Sequence, residues 1–104
     1  MDRLEEIKKE VVERLVPLGP EKIILFGSHA YGTPKEGSDI DLFLLMDRRS
    51  ENVEAKALFS LRDLIKKYRI GFDILAGEKE LILRRDDPFY RIDILGKGQV
   101  IYGE

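Results

Sequence analysis

The amino-acid sequence predicts an α/β (α+β) fold, a small mixed β-sheet with helices packed on it. Three observations carry that expectation. Three short runs, 22–26, 38–46 and 69–76, are apolar, β-branched or aromatic over most of their length, as buried strands are. The segments before and between them carry apolar residues at helical spacing. The 104 residues suffice for one core of packed layers and contain no internal repeat, low-complexity tract or linker, so a single domain is expected over 1–104.

The elements follow in order. Asp2 is placed to cap a first helix, with Glu5 three residues later as its reciprocal partner. Leu4, Ile7, Val11 and Leu15, with Val12 beside them, form its apolar stripe. Pro17 and the turn Leu18-Gly19-Pro20 stop it. The run 22–26 is the first strand, ended by Gly27. A short helix over 28–32 follows, capped by Ser28, and then a polar loop over 33–37 containing Pro34. The second strand begins at Ser38 or Asp39 and ends at Met46. After a polar connection, Val53, Ala57, Leu58, Leu61, Leu64, Ile65 and Tyr68 mark one helix over 52–68. The third strand, 69–76, is broken by Gly77. A short helix over 78–85 comes next, then a helix opened by Pro88 and running to Leu95. Gly96 and Gly98 end that helix, and 99–102 forms a last short strand.

Composition excludes several functions. The chain has no cysteine, so disulfides, thiolate catalysis and Cys-based metal sites are ruled out, and a cytoplasmic location is expected. The charged N-terminus does not resemble a signal peptide, and the longest apolar runs are far too short to span a bilayer. A net charge of −2 gives no basic footprint for nucleic acid. Asn52 and Gln99 are the only side-chain amides; with many Lys, Arg and Glu, this points to a thermophilic source.

One segment breaks the pattern of a buried strand. Residues two apart on a strand point to one face, so Asp39 and Asp41 stand side by side, roughly 6.5–7 Å apart. They share that face with Phe43 and Leu45. Neighbouring carboxylates beside an apolar surface repel each other and resist desolvation. A divalent cation relieves that conflict. Mg²⁺ takes hard oxygen ligands from one or two carboxylates and substrate phosphates, and two such ions clamp both oxygens of an in-line displacement at phosphorus. Asp73 repeats the anomaly inside the third strand and completes a three-carboxylate cluster if the two strands are neighbours. It is then placed to ligate a second metal and to accept the proton of an attacking hydroxyl. Gly27-Ser28, a glycine-ended strand leading into a helix start, offers free N–H groups and a hydroxyl to phosphate.

These residues carry a family resemblance. Gly27-Ser28, ten residues from His29 to Ser38, and Asp39-Ile40-Asp41 reproduce the pattern of the minimal nucleotidyltransferases of the DNA polymerase beta-like superfamily. The longer stretches from Leu25 to Thr33 and from Ser38 to Leu42 resemble the family too, and Asp73 falls where the family carries its third carboxylate. The resemblance implies a polymerase beta-like fold, Mg²⁺ dependence with two ions, and transfer of a nucleoside monophosphate from an NTP such as ATP. Asp39, Asp41 and Asp73 would be catalytic metal ligands, with Gly27, Ser28 and Ser38 binding nucleotide. Small stand-alone members often act as antitoxins that AMPylate a tyrosine of a HEPN-type RNase toxin, so such a toxin is the expected partner, with a homo- or hetero-oligomer as one form open to this chain. Many relatives carry Arg where this chain has His29 and Tyr31, so fixed positive charge is missing beside the expected triphosphate. His29 is expected at a phosphate or in solvent, Tyr31 stacked, hydrogen-bonded or packed, and Lys35 in solvent ahead of lending charge from the loop.

Two functions compete. The first is transfer of AMP to a protein hydroxyl. The second is a binding module of weak or no activity that neutralises a toxin by masking its surface, using apolar residues among Phe89, Tyr90, Ile92, Ile94, Leu95, Val100, Ile101 and Tyr102. Transfer to an antibiotic or an RNA end is disfavoured, because the chain has neither an added acceptor domain nor a basic stripe.

Overall fold

The computed structural model describes residues 3–48 and 50–103. The expected capping box rests on Asp2, which lies outside the described residues. Helix α1, Arg3–Leu15, buries Ile7, Val11 and Leu15 at the spacing that the sequence shows. Pro17 sits in a single 3-10 turn, Val16–Leu18, that ends the helix.

Four strands form one mixed sheet in the order β3-β2-β1-β4. They are β1 (Lys22–Phe26), β2 (Ile40–Met46), β3 (Phe72–Glu78) and β4 (Gln99–Tyr102). β1 is antiparallel to both β2 and β4, whereas β2 and β3 are parallel. A parallel pair needs a long crossover. Helices α3 (Val53–Ser60) and α4 (Arg62–Tyr68) supply it.

The sheet is covered unequally. On one face α1, α3 and α4 pack Val11, Leu15, Val53, Ala57, Leu61 and Leu64 against Ile23, Leu25, Leu42 and Leu44. On the other face a smaller cluster of Ile24, Phe43, Leu45, Tyr90 and Ile94 lies under helix α5 (Lys79–Arg85) and the segment Phe89–Gly96. A strand buried on both faces reads as a continuous apolar run, which β2 does after its aspartates.

Four expectations need correction. The helix expected over 52–68 is two helices meeting at Leu61, whose N–H reaches back to Ala57 and Leu58. The apolar stripe runs through the joint unbroken, because Val53, Ala57, Leu61 and Leu64 all face the core. Gly77 does not end β3 but lies within it, where a side chain would collide with Ile82 and Phe43. The helix begun at Pro88 is π-helical, and Asp87 accepts the N–H groups of Phe89 and Tyr90 at its start. Finally, α2 (Ser28–Tyr31) takes Gly27, not Ser28, as its N-cap residue and has no side-chain cap.

Candidate active site

Three chain segments meet at one end of the sheet. β1 ends at Phe26, which pairs with Asp41 of β2, so Gly27 arrives beside the Asp41 carboxylate. Gly27 has φ 76 and ψ −163, a conformation that glycine alone adopts without strain. A β-carbon there would stand 2.1 Å from Asp41 Oδ2. Glycine is therefore required twice, for the backbone turn and for the space that the carboxylate occupies.

The parallel register sets Asp73 of β3 directly beside Asp41, and their carboxyl groups share a hydrogen bond. Asp39, one residue before β2, is placed by the Ile40 N–H, which donates to the Gly71 carbonyl oxygen at 2.9 Å. Its carboxylate rests on Gly71, where a β-carbon would meet Oδ1 at 2.4 Å. The second strand thus begins one residue later than its aspartate pair suggests. The structure brings Asp39, Asp41 and Asp73 together on the face shared with Phe43 and Tyr90, at the end where Gly27-Ser28 turns.

The cluster is electrostatically unfavourable without a cation. Burial pushes the Asp41 carboxyl above the ordinary carboxylate range, the charges of Asp73 and Asp39 and the Asp73 hydrogen bond push it further, and His29 offsets part of this. Two unlike demands thus act on one group: the fold disfavours its charge, and a hard cation would require it. Among the described residues no three acidic, histidine or cysteine side chains converge into a ready-made metal cage. The carboxylates fit a divalent ion that takes one or two protein ligands and completes its shell from a substrate, as Mg²⁺ does.

The remaining residues frame the cluster. The N–H groups of Ser28 and His29 open α2, where no intrahelical acceptor exists for them. The Ser28 hydroxyl has no protein partner among the described residues. His29 Nε2 lies 3.1 Å from the Ser38 carbonyl oxygen, so it carries the proton and donates, tying α2 to the loop before Asp39. Ser38 Oγ accepts the Lys35 N–H at 2.9 Å and closes that loop. Tyr31 packs outward, with its hydroxyl donating to the Asp93 carbonyl at 3.3 Å.

Gly71 was not singled out in the sequence as a site residue. Its signal was there, as an isolated glycine two residues before Asp73 on the same strand face, where a close approach is expected. Arg3 and Arg69, which border the site on the Asp39 side, carried no such signal.

The family profile of the nucleotidyltransferase domain matches residues 4–101. The chain belongs to this family. The nucleotidyltransferase is 31% identical over 83 residues to a Methanocaldococcus jannaschii protein named as a candidate protein adenylyltransferase, a match covering 79% of this chain and 78% of the relative. Its fold resembles a chain of a toxin–antitoxin complex solved with AMP-PNP, with a TM-score of 0.68 and 21% identity over 93% of this chain and 73% of that one. It also resembles a chain of the Shewanella oneidensis complex of a tri-AMPylated HEPN toxin with its MNT antitoxin. There the TM-score is 0.62 and the identity 17%, over 96% of this chain and 72% of that one. At these identities the two structures speak for the fold. They match the mixed sheet and flanking helices described above. No helix among the described residues is long and apolar enough to cross a membrane.

Proposed function

We propose that this nucleotidyltransferase transfers AMP from ATP to a hydroxyl group of a partner protein, a tyrosine of a HEPN-type toxin, and so acts as its antitoxin in the cytoplasm. The observation that carries this reading is the register of Asp41 beside Asp73, with Asp39 on the Gly71 side and Gly27 below Asp41. The likeness to a named protein adenylyltransferase and to toxin–antitoxin complexes supports the choice of acceptor.

In this mechanism Asp39 and Asp41 would hold Mg²⁺, and Asp73 would contribute to a second ion. When bound, the metal neutralises charge on the phosphates and orients them for in-line displacement. The chain's own groups do the rest. The Ser28 hydroxyl and the N–H groups that open α2 donate to phosphate oxygens. Ser38 holds the loop that delivers Asp39. Asp73, more exposed than Asp41, accepts the proton of the acceptor hydroxyl as its oxygen bonds to the α-phosphorus. The bond between that phosphorus and the bridging oxygen breaks, and pyrophosphate leaves.

The test is incubation with Mg²⁺, labelled ATP and the protein encoded by the adjacent gene. Label should enter the partner with the wild type and fall by at least about a hundredfold with Asp39→Ala, the scale of losing an electrostatic catalytic contact. Absence of label transfer, with Asp39→Ala indistinguishable from wild type, rejects the reading.

Exposed apolar side chains favour a second reading, masking of the toxin. Tyr90 and Ile94 are buried in this domain, whereas Phe89, Ile92, Leu95, Val100 and Tyr102 are exposed and free to meet a partner. If Asp39→Ala/Asp41→Ala still neutralises the toxin fully, masking explains the protection. Loss of protection with binding retained rejects it.

A further inference from the structure

A cavity of about 390 Å³ lies at the end of the sheet away from the aspartates. Lys22, which opens β1, and its strand partner Leu45 line it, together with Ile82 and Leu83 of α5 and Tyr90 and Leu95 of the segment 89–96. Glu21 and Lys79 complete its polar lining. Its size falls in the range of small-molecule sites, about 300–1,000 Å³, and its character is theirs too: an apolar surface with a few polar groups converging on it.

Two polar groups here are unspent. Tyr90 is only 6% exposed, with its ring against Phe43 at 5.2 Å. A buried tyrosine ordinarily finds a partner for its hydroxyl. This hydroxyl has none among the described residues, yet it is not sealed from solvent. Burial pushes its pKa up, and so does the charge of Glu21, so it stays protonated and remains a donor. Packing on Phe43 would be served equally by phenylalanine. The Lys22 ammonium likewise has no hydrogen bond or ion pair among the described residues. Lys79 is held by Glu21 at 3.2 Å, so those two charges offset each other. One uncompensated cation and one neutral donor remain, beside Leu83 and Leu95, which are 67% and 45% exposed.

We propose that this cavity binds a small organic carboxylate with an apolar body, its head taken by the Lys22 ammonium and the Tyr90 hydroxyl and its body laid against Leu45, Ile82, Leu83 and Leu95. A carboxylate accepts at both oxygens, so it can take the two donors at once. A single cation matches a singly charged head, whereas a phosphate dianion would leave a charge unmatched and an amine would be repelled. The site is separate from the nucleotidyl-transfer centre and does not rest on that reading. Lys22 stands at one end of β1 and Phe26, the partner of Asp41, at the other, roughly 13 Å away along the strand.

Calorimetric titration of the full chain with octanoate, phenylacetate, octanol and octylamine tests this. At least one of the two carboxylates should bind, and octanol and octylamine should bind at least about tenfold more weakly than octanoate or not at all, the scale of one charge-assisted contact. Lys22→Ala and Tyr90→Phe should each weaken the bound carboxylate by about tenfold; Tyr90→Phe keeps the ring on Phe43, so the fold is retained. Asp39→Ala should bind it as the wild type does. Affinity weaker than about 1 mM for both carboxylates overturns the proposal. So does octanol binding as tightly as octanoate, which would make the cavity a purely apolar surface. Equal carboxylate affinity in both cavity variants, or its loss in Asp39→Ala, places the ligand elsewhere and overturns it too.

Discussion

At the scale of single residues, Asp41 is pulled two ways by its surroundings. Its carboxyl is raised above the ordinary range by burial and then by Asp73 and Asp39. The folded chain therefore holds that proton more tightly than the unfolded chain, and stability is lost as pH rises from the unfolded pKa through the folded one. Replacing Asp41 by Asn removes this penalty. Asp41→Asn should melt higher than wild type at pH 7 without metal, and the difference should shrink toward pH 3; thermal unfolding across that range checks it. Mg²⁺ should raise the melting temperature of the wild type and not of the variant. Gly27 tells the same story from the backbone. Gly27→Ala puts a β-carbon into the Asp41 carboxylate and strains a positive φ. About 1–3 kcal/mol of stability should be lost, measured by urea unfolding, together with nucleotidyl transfer. Gly27, Ser28, Asp39, Asp41 and Asp73 were all legible in the sequence, because each departs from what a buried strand or its turn needs. Gly71 was legible only as a glycine, since the carboxylate that it accommodates comes from another strand.

Among the elements, β2 and the crossover α3–α4 decide whether the cluster forms at all. The crossover returns the chain parallel to β2 and brings Asp73 level with Asp41. Leu61, fully buried at the joint between the two helices, holds that return in place. Leu61→Ala should cost about 2–5 kcal/mol and lower transfer activity at temperatures where the variant begins to open, seen by parallel unfolding and activity curves. The strands and α1 were legible because their apolar spacing is strong. The joint at Leu61 was hidden, because a bend that keeps the stripe facing the core leaves no mark on periodicity. The π-helical segment was hidden too. It depends on Asp87 capping Phe89 and Tyr90, and on Tyr90 and Ile94 reaching the second face of the sheet.

Across the whole molecule, the two faces of the sheet are unequal in what they bury. The face under α1, α3 and α4 holds the larger cluster, and the face that carries the aspartates is covered, among the described residues, by α5 and the π-helical segment. Amide hydrogen exchange should follow this asymmetry, with β1 and β2 best protected and 79–96 opening sooner. Equal protection of both would contradict it. Ion pairs add a second layer. Arg14–Asp63 at 2.7 Å and Lys67–Glu10 at 2.9 Å join α1 to α4, and Lys79–Glu21 at 3.2 Å joins α5 to the turn before β1. Exposed pairs of this kind contribute little at 25 °C, and such networks matter more on heating. With the scarcity of amides, they lead us to expect a melting temperature above the mesophile range of about 45–65 °C, measured by calorimetry.

The sequence by itself determined the four strands, α1 and the family resemblance, and it set Gly27-Ser28 and the three aspartates apart from the pattern around them. Period and turn chemistry are local, and an aspartate inside an apolar run departs from that pattern whatever the fold around it. The tertiary structure alone decided which charges share a space. The register of β3 beside β2, the bearing of Asp39 on Gly71, and the meeting of Arg3, Lys35 and Arg69 join residues more than thirty positions apart in the chain. Arg3, Lys35 and Arg69 read in the sequence as ordinary solvated cations. Only the fold shows that they border one cleft beside Asp39, because long-range pairing is set by the packing of the whole sheet and not by any segment of it.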